Sequence, residues 1–340
     1  MIDIKITDNK PIDEIAWNEL AKSNGNLIQA TYSDEVQQFF QHQSIYLHVI
    51  ENGKLIAAYK FYKWESKRLP TFIRSISQSI SFIGEPIIWL EIMDTRKDEI
   101  RNIIESELKK YVAASNPATA IHGNYYGRPI TLNSLFNPTT KKEYNIAIIN
   151  VSKSEEDLWS NVHSKHRNVI RKAEKENVKI KEDEHIETFI KLMQSTYEKQ
   201  PDKAPNYSFI TTYFSILKKQ NLVSIYIAYH NNEALIGAFI TKFGATAYYA
   251  FGGSTSNSLG AGNLLQWHIM KELKKEKITF YNLGQVARAD DDSNFKFSKG
   301  ISSFKRRFGV FELPGVSEKY ILRPFANQVW NLLVKVFIKK

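Results

Sequence analysis

The sequence predicts two mixed α/β domains, each a sheet with helices packed on it, and three observations predict them. Two distant segments read alike: "SIYLHVIENGKLIAAYKF" from Ser44 and "SIYIAYHNNEALIGAFIT" from Ser224. Each is an apolar β-rich run, a turn signal (Asn52-Gly53 or Asn231-Asn232) and a second apolar run. Without gaps they agree at Ser44/Ser224, Ile45/Ile225, Tyr46/Tyr226, Asn52/Asn232, Leu55/Leu235, Ile56/Ile236 and Ala58/Ala238, which reads as duplication of one hairpin-centred unit. The flanks repeat too. Helical patterns precede each hairpin, and an apolar strand, an amphipathic helix and a further strand follow it, which is the order of a mixed α/β sheet. Finally, 340 residues suit two domains of ordinary size. The boundary falls near 145–150, giving domains over 1–147 and 148–324 and a terminal helix over 325–340.

The elements follow in order. "PIDEIAWNELAKS" and "SDEVQQFFQHQ" are helical patterns ahead of the first hairpin, and "SISFIGEPIIW" supplies the strand after it. In the second half, "SEEDLWSNVH", "SKHRNVIRKAEKEN", "IETFIKLMQSTYEK" and "FITTYFSILKKQ" read as helices, with Ser154 and Ser164 as caps. "ATAYYAFGGS" is the next strand, "GNLLQWHIMKELKKEK" a helix with Leu265, Ile269 and Leu273 on one stripe, and "ITFYNLG" the strand beyond it. In "FANQVWNLLVKVFIKK" the apolar residues recur at helical spacing, and Trp330 with the terminal lysines suits a lipid interface. Docking of that helix on its own domain is the plainer alternative.

Composition bounds the function. A net charge of +10 favours an anionic partner: nucleic acid, a phosphate-bearing metabolite or an anionic membrane. The absence of cysteine excludes disulfides, thiolate nucleophiles and cysteine-ligated zinc. The N-terminus lacks the pattern of a secretory signal, and no window reaches the roughly 18 apolar residues of a membrane span, so a cytoplasmic protein is expected. Three segments are candidates for chemistry. On "SKHRNVIRKAEK", Arg167, Arg171 and Lys175 fall four apart on one helical face, and Ser164 opens that helix. That face is either an anchor for a diphosphate or a solvated basic surface. In "YYAFGGSTSNSLGAGNLLQW", the small residues after the strand and the loop Leu259-Gly260-Ala261-Gly262-Asn263 let backbone N–H groups approach a ligand, unless they are plain tight turns. In "DDDSNFKFSKGISSFKRRFG", Lys305 or Arg306 points into a groove beside "ITFYNLG", or else lines a surface edge. Asp290 to Asp292 could hold a metal, but an exposed loop or a helix cap is the plainer reading, and no metal is expected.

These blocks resemble the FemA/FemB/FemX family, which is built from two GNAT-like (acetyltransferase-fold) domains and adds amino acids to the peptide of peptidoglycan precursors. "SKHRNVIRKAEKENVKI" is similar to its Ser-x-x-Arg-x-x-Ile-x-Lys-Ala block, and "GISSFKRRFG" to its Gly-x-x-x-Phe-Lys-x-x-Phe-Gly ending. The segment from "YYAFGGS" through "ITFYNLGQ" looks like its last ligand-facing strand, helix and Tyr-Asn strand. In the first domain the likeness rests on the repeat and on "GNLIQATYSDEV". The long helical arm of larger members is absent. The resemblance implies an acyltransferase whose acceptor, a phosphorylated nucleotide- or lipid-linked sugar or peptide, meets Arg167 and Lys305; Ser164, Arg171 and Arg306 are candidates beside them, and Tyr281 and Asn282 either orient the acceptor or are simply buried in the sheet. It places the donor against Leu259 to Asn263. "NSLGAG" also resembles an acetyl-CoA loop with Asn257 in place of its basic first residue, so the co-substrate is either aminoacyl-tRNA or an acyl-CoA, with no tightly bound cofactor. Amide formation from either needs positioning and oxyanion donors rather than a covalent nucleophile. The backbone of Phe251, Gly252, Gly253 and Ser254 is the candidate oxyanion surface; His268 is a candidate base, with a packed histidine as the plainer reading. Contact with tRNA, and a peripheral seat on the inner face of the cell membrane through the terminal helix, are the further expectations.

Overall fold

The computed structural model describes residues 2–123, 138–255, 259–288 and 296–338. The chain divides into two compact units, 1–144 with 314–340, and 145–313. Asn257 and Asp290 to Asp292 lie outside the described residues.

The first unit runs β1 (Ile2–Asp8), α1 (Glu14–Ser23), α2 (Asp34–Phe39), β2 (Gln43–Glu51), β3 (Lys54–Trp64), β4 (Ser79–Ile83), β5 (Ile87–Ile88), α3 (Asp94–Ser115) and β6 (Thr119–Gly123). Its sheet has the order β1-β2-β3-β4-β6, with β5 beside β3. Asp13 caps α1 by accepting from Ala16 N, and Asn116 ends α3 in the left-handed conformation. Ile100, Ile104, Leu108 and Val112 recur every fourth residue along α3 and pack on the apolar face of the sheet.

The second unit begins within β7 (Thr140–Asn150) and continues with α4 (Glu155–Asn161), α5 (Ser164–Lys175), β8 (Lys179–Asp183), α6 (Ile186–Tyr197), α7 (Tyr207–Lys219), β9 (Val223–His230), β10 (Glu233–Phe243), β11 (Thr246–Ser254), α8 (Ala261–Lys275), β12 (Phe280–Val286) and α9 (Lys296–Arg306). Its sheet has the order β8-β9-β10-β11-β12-β7. Helices α5 and α8 share a core with one face of it, where Ile170, Leu265, Ile269 and Tyr281 are buried. On the other face α6 and α7 bring Phe189, Tyr213 and Phe214 against Phe239.

The duplication is visible inside each unit. Both hairpins turn on two left-handed residues, Asn52-Gly53 and Asn231-Asn232, as a tight turn matched to strand twist requires. In each, the strand after the hairpin (β4, β11) leads through a helix (α3, α8) to a parallel partner (β6, β12). The structure departs from the sequence-based division at the C-terminal end. β13 (Phe311–Ile321) pairs through Ser317–Ile321 with β6, and α10 (Pro324–Leu333) also belongs to the first unit, where Trp330 meets Trp64 at 5.7 Å. Residues 314–340 therefore complete the first sheet instead of ending the second domain.

Candidate active site

The sheet of the second unit opens at one place. β11 and β12 pair only at Thr246/Phe280, Ala247/Tyr281 and Tyr248/Asn282, although β11 runs on to Ser254 and β12 to Val286. Two irregularities flank the point of divergence. The β10–β11 register shifts between Phe239/Phe251 and Ile240/Tyr249, so Ala250 is extra, and the β12–β7 register shifts after Asn282, so Leu283 is extra. A bulge bends its strand and increases local twist, and one in each strand turns the two apart. Past Tyr248, the amides and carbonyls of β11 that point toward β12 are without ladder partners there, and such groups demand hydrogen-bonding ligands or water.

Tyr281 and Asn282, expected to orient an acceptor, hold this opening from behind. Tyr281 is buried and donates its hydroxyl to Gln266 Oε1 at 2.8 Å. Asn282 is buried and accepts from Gly284 N at 2.7 Å through its own Oδ1, which fixes the bulge. Gly284 has φ +80°, and a Cβ there would stand 3.6 Å from both Lys305 Nζ and Tyr248 Oη. A small residue in that conformation therefore lets a lysine and a tyrosine converge at the mouth of the opening. Lys305 donates to Gln285 O at 3.0 Å, and burial pushes its ammonium down to about 8. Tyr248 is the group that sequence reading missed. It stands in "ATAYYAF" among strand tyrosines, and its one available signal was alternation, which puts it on the opposite face from Ala247 and Tyr249.

The backbone expected to form the oxyanion surface is partly engaged. Ser254 N donates to Thr196 Oγ1 at 2.7 Å. Gly253 faces α6, where a Cβ would come within 2.5 Å of Met193 N, and its cross-strand partner Gly237 would meet Phe189 at 2.8 Å. These paired glycines seat α6 on the sheet, so the close approach that Gly253 permits is made by a helix. Tyr249 lies on the other face beside Gly252, and burial raises its hydroxyl to about 12. Phe251 packs on Phe239 at 5.5 Å. His268 is remote from the opening: it meets the Tyr226 ring on β9 at 5.9 Å and Glu272 at 3.8 Å, and burial lowers its pKa.

On the basic helix α5, Arg167 donates through Nη1 to the carbonyls of Trp159, Ser160 and Val162, at 3.3, 2.9 and 3.0 Å. These are the last carbonyls of α4, so the guanidinium closes that helix. Arg171 lies over the Trp159 ring at 5.3 Å, and Ser164 is exposed at the first turn of α5. Gly260, at φ +75°, precedes α8 with no side-chain cap, and a Cβ would press to 2.5 Å from Val169 on α5. The buried Asn263 Nδ2 lacks a hydrogen-bond partner there. Ala261 is buried, while Leu259 and Gly262 are half-buried. A cleft of about 540 Å³ opens beside α9, and Arg306 stands in its wall, paired with Glu312 at 2.6 Å.

Residues 160–297 match the family described as "Acetyltransferase (GNAT) domain". Among curated proteins none matches the chain. Three similar solved structures span almost the whole chain. FemX has a TM-score of 0.74 at 15% identity, covering 95% of this chain and 99% of its own. The C-terminal domain of a putative lysylphosphatidylglycerol synthetase from Agrobacterium fabrum has 0.57 at 10%, covering 95% and 98%. A tandem GNAT protein from the clavulanic acid biosynthesis pathway has 0.56 at 8%, covering 94% and 99%. The fold is tandem GNAT, and the protein is an acyltransferase carrying a GNAT-type domain.

Proposed function

We propose that the protein transfers an aminoacyl group from aminoacyl-tRNA to an amine of a phosphate-bearing cell-envelope precursor of the peptidoglycan type. The observation that carries this reading is the opening between β11 and β12, with Lys305 Nζ and Tyr248 Oη at its mouth. In the reaction the acceptor amine attacks the donor carbonyl, a C–N bond forms, the ester C–O bond breaks, and the amine proton leaves with the departing hydroxyl. Unpaired backbone amides of β11 on the open side serve the developing oxyanion, and the Lys305 ammonium adds positive charge beside it. The likeness to FemX over nearly the full length, and to the lysylphosphatidylglycerol synthetase domain, agrees with aminoacyl transfer.

A second reading keeps the fold and changes the donor to an acyl-CoA, with an amino sugar or another envelope amine as acceptor. The GNAT domain match and the uncapped start of α8 at Gly260 favour it, since backbone N–H groups at a helix N-terminus suit a pyrophosphate. One experiment separates the two. The purified protein is offered total tRNA charged with labelled amino acids, or a panel of acyl-CoAs, together with UDP-linked and lipid-linked precursors, and products are read by mass spectrometry. Transfer that needs charged tRNA and is abolished by RNase supports the first reading. Transfer from acyl-CoA alone replaces it with the second.

Among the described residues no helix is long and apolar enough to cross a membrane. α10 nevertheless exposes Phe325 and Leu332, and Val336 is exposed in the helical segment Val334–Ile338 that follows it. That stripe, with Lys335 near it, suits peripheral contact with an anionic inner-membrane surface, where a lipid-linked acceptor would be met.

A further inference from the structure

We propose that Tyr249 is a catalytic residue of the transfer reaction, donating its hydroxyl to the donor carbonyl oxygen as that oxygen takes on negative charge. This rests on the transfer reading and adds a side chain to an oxyanion surface otherwise made of backbone. Tyr249 is the first residue of β11 beyond the last pair with β12, Tyr248/Asn282. On its other side it pairs with Ile240, next to the bulged Ala250. Its ring packs on the core that α5 and α8 share with the sheet, where Ala261 and Leu264 are buried. Tyr248 points to the opposite face, so two successive tyrosines reach the opening from its two sides.

The Tyr249 hydroxyl lies along the strand. A Cβ built on Gly252 would collide with Tyr249 Oη and come within 2.9 Å of its Cζ, so only the bare backbone at Gly252 lets the phenol rest there. That puts the hydroxyl over the part of β11 whose groups facing β12 are without ladder partners. Among the described residues the hydroxyl has no hydrogen-bond partner. Other tyrosines of the chain find acceptors: Tyr281 donates to Gln266 Oε1, Tyr229 to Asp183 Oδ2 and Tyr144 to Val316 O. A tyrosine hydroxyl removed from water usually finds a partner, and one left without it destabilises the fold.

Burial raises the hydroxyl to about 12, so it remains a neutral donor at any working pH. A fixed neutral donor, aimed where charge develops and shielded from water, stabilises an oxyanion without reorganising. As the amine adds, the carbonyl electron pair moves onto oxygen and the hydroxyl donates to it. As the intermediate collapses, the pair returns, the ester C–O bond breaks and Tyr249 keeps its proton.

Tyr249→Phe removes the oxygen and keeps the ring. Wild type and variant, each as the full chain, are offered total tRNA charged with labelled amino acids, or acyl-CoAs, with UDP-linked and lipid-linked precursors. With whichever donor wild type uses, kcat is expected to fall a hundredfold or more while KM values stay within about threefold. Because no internal hydrogen bond is lost, the variant is expected to melt at or above wild type. Tyr229→Phe, which loses its bond to Asp183 on the sheet edge, is expected to melt lower with kcat unchanged. Wild-type kcat in Tyr249→Phe, a loss confined to KM, or a melt lowered as far as that of Tyr229→Phe would each overturn the proposal and leave the transfer reading standing. A wild type that transfers from neither donor would instead remove the transfer reading, and this proposal with it.

Discussion

Lys305→Met separates the cost of the candidate site from its use. Burial lowers the ammonium from its ordinary 10.5 to about 8, a displacement of about 2.5 pH units. At about 1.36 kcal/mol per unit, the folded protein carries a penalty of about 3 kcal/mol for keeping this charge wherever both states are protonated, below about pH 8. Methionine removes the charge and keeps most of the length. It also removes the hydrogen bond to Gln285 O, worth about 1 kcal/mol, so the net gain at pH 7 is expected to be about 1–3 kcal/mol. The sign with pH follows from proton counts. Between about 8 and 10.5 the unfolded chain binds the proton that the folded chain has lost, so wild-type stability rises through that window and the advantage of methionine disappears. Scanning calorimetry at pH 7 and pH 10, following the transition of the 145–313 unit, reads both points. At about 2–4 °C per kcal/mol for a unit of this size, the variant should melt several degrees higher at pH 7 and level with wild type at pH 10. Acyl transfer should fall a hundredfold or more in the variant, and in wild type should decline as pH rises through 8. A variant no more stable at pH 7, with a difference that does not move with pH, would refute both the burial argument and the reading of Lys305 as a strained functional group.

Other predictions rest on different parts of the molecule. Lys60 is fully buried in the first unit, where it donates to Ala30 O, Ser33 Oγ and Asp34 Oδ1 beneath the rings of Tyr46 and Tyr62. Asp34→Ala should therefore cost about 3–5 kcal/mol by leaving a buried charge unpaired, and Lys60→Met added to it should recover part of that loss in a double-mutant cycle by urea unfolding. Gly253→Ala should destabilise the second unit by at least about 1–3 kcal/mol, because its Cβ meets the Met193 backbone; a melt unchanged from wild type would show that α6 does not rest there. Arg167→Ala should lower stability by about 1–2 kcal/mol through loss of the α4 closure, with Arg167→Lys recovering little; an unchanged melt with a raised acceptor KM would return this residue to substrate binding. Phe325→Asp with Leu332→Asp should abolish pelleting with phosphatidylglycerol vesicles, and co-sedimentation equal to wild type would remove the α10 stripe as a lipid contact.

What the sequence made legible follows from which forces are local. The paired hairpins were readable because Asn52-Gly53 and Asn231-Asn232 state their turn by residue type, and the flanking runs state their strands by alternation. The crossover helices were readable because α3 and α8 repeat their apolar residues at helical period. The domain division was not readable at its far end, because β13 completes the sheet of the first unit through pairing with β6, nearly two hundred residues earlier, and nothing in "FELPGVSEKYI" names that partner. The candidate site divides the same way. Lys305 and Arg306 were found through a motif with a fixed local spacing. Their assignment to different faces of α9 emerged only once the helix had a neighbour on each side, Gly284 for one and the α4–α5 turn for the other.

Arg167 and Gly253 show the limit from the other direction. Both have the residue type a ligand site would need, and in both the structure finds an internal partner that uses the same property. The guanidinium that would fork onto a phosphate donates instead to the carbonyls ending α4, and the bare backbone that would approach a ligand instead admits α6. A sequence motif records the interaction a residue is equipped to make, whereas the fold decides whether that capacity is still available. On that criterion the strongest candidates are groups held at a cost. Lys305 is such a group: burial opposes its charge, its neighbours are an unpaired strand edge and Tyr248, and the structural energy it supplies in return is one hydrogen bond. A lysine kept there against a penalty of about 3 kcal/mol is better explained by chemistry at the opening than by packing.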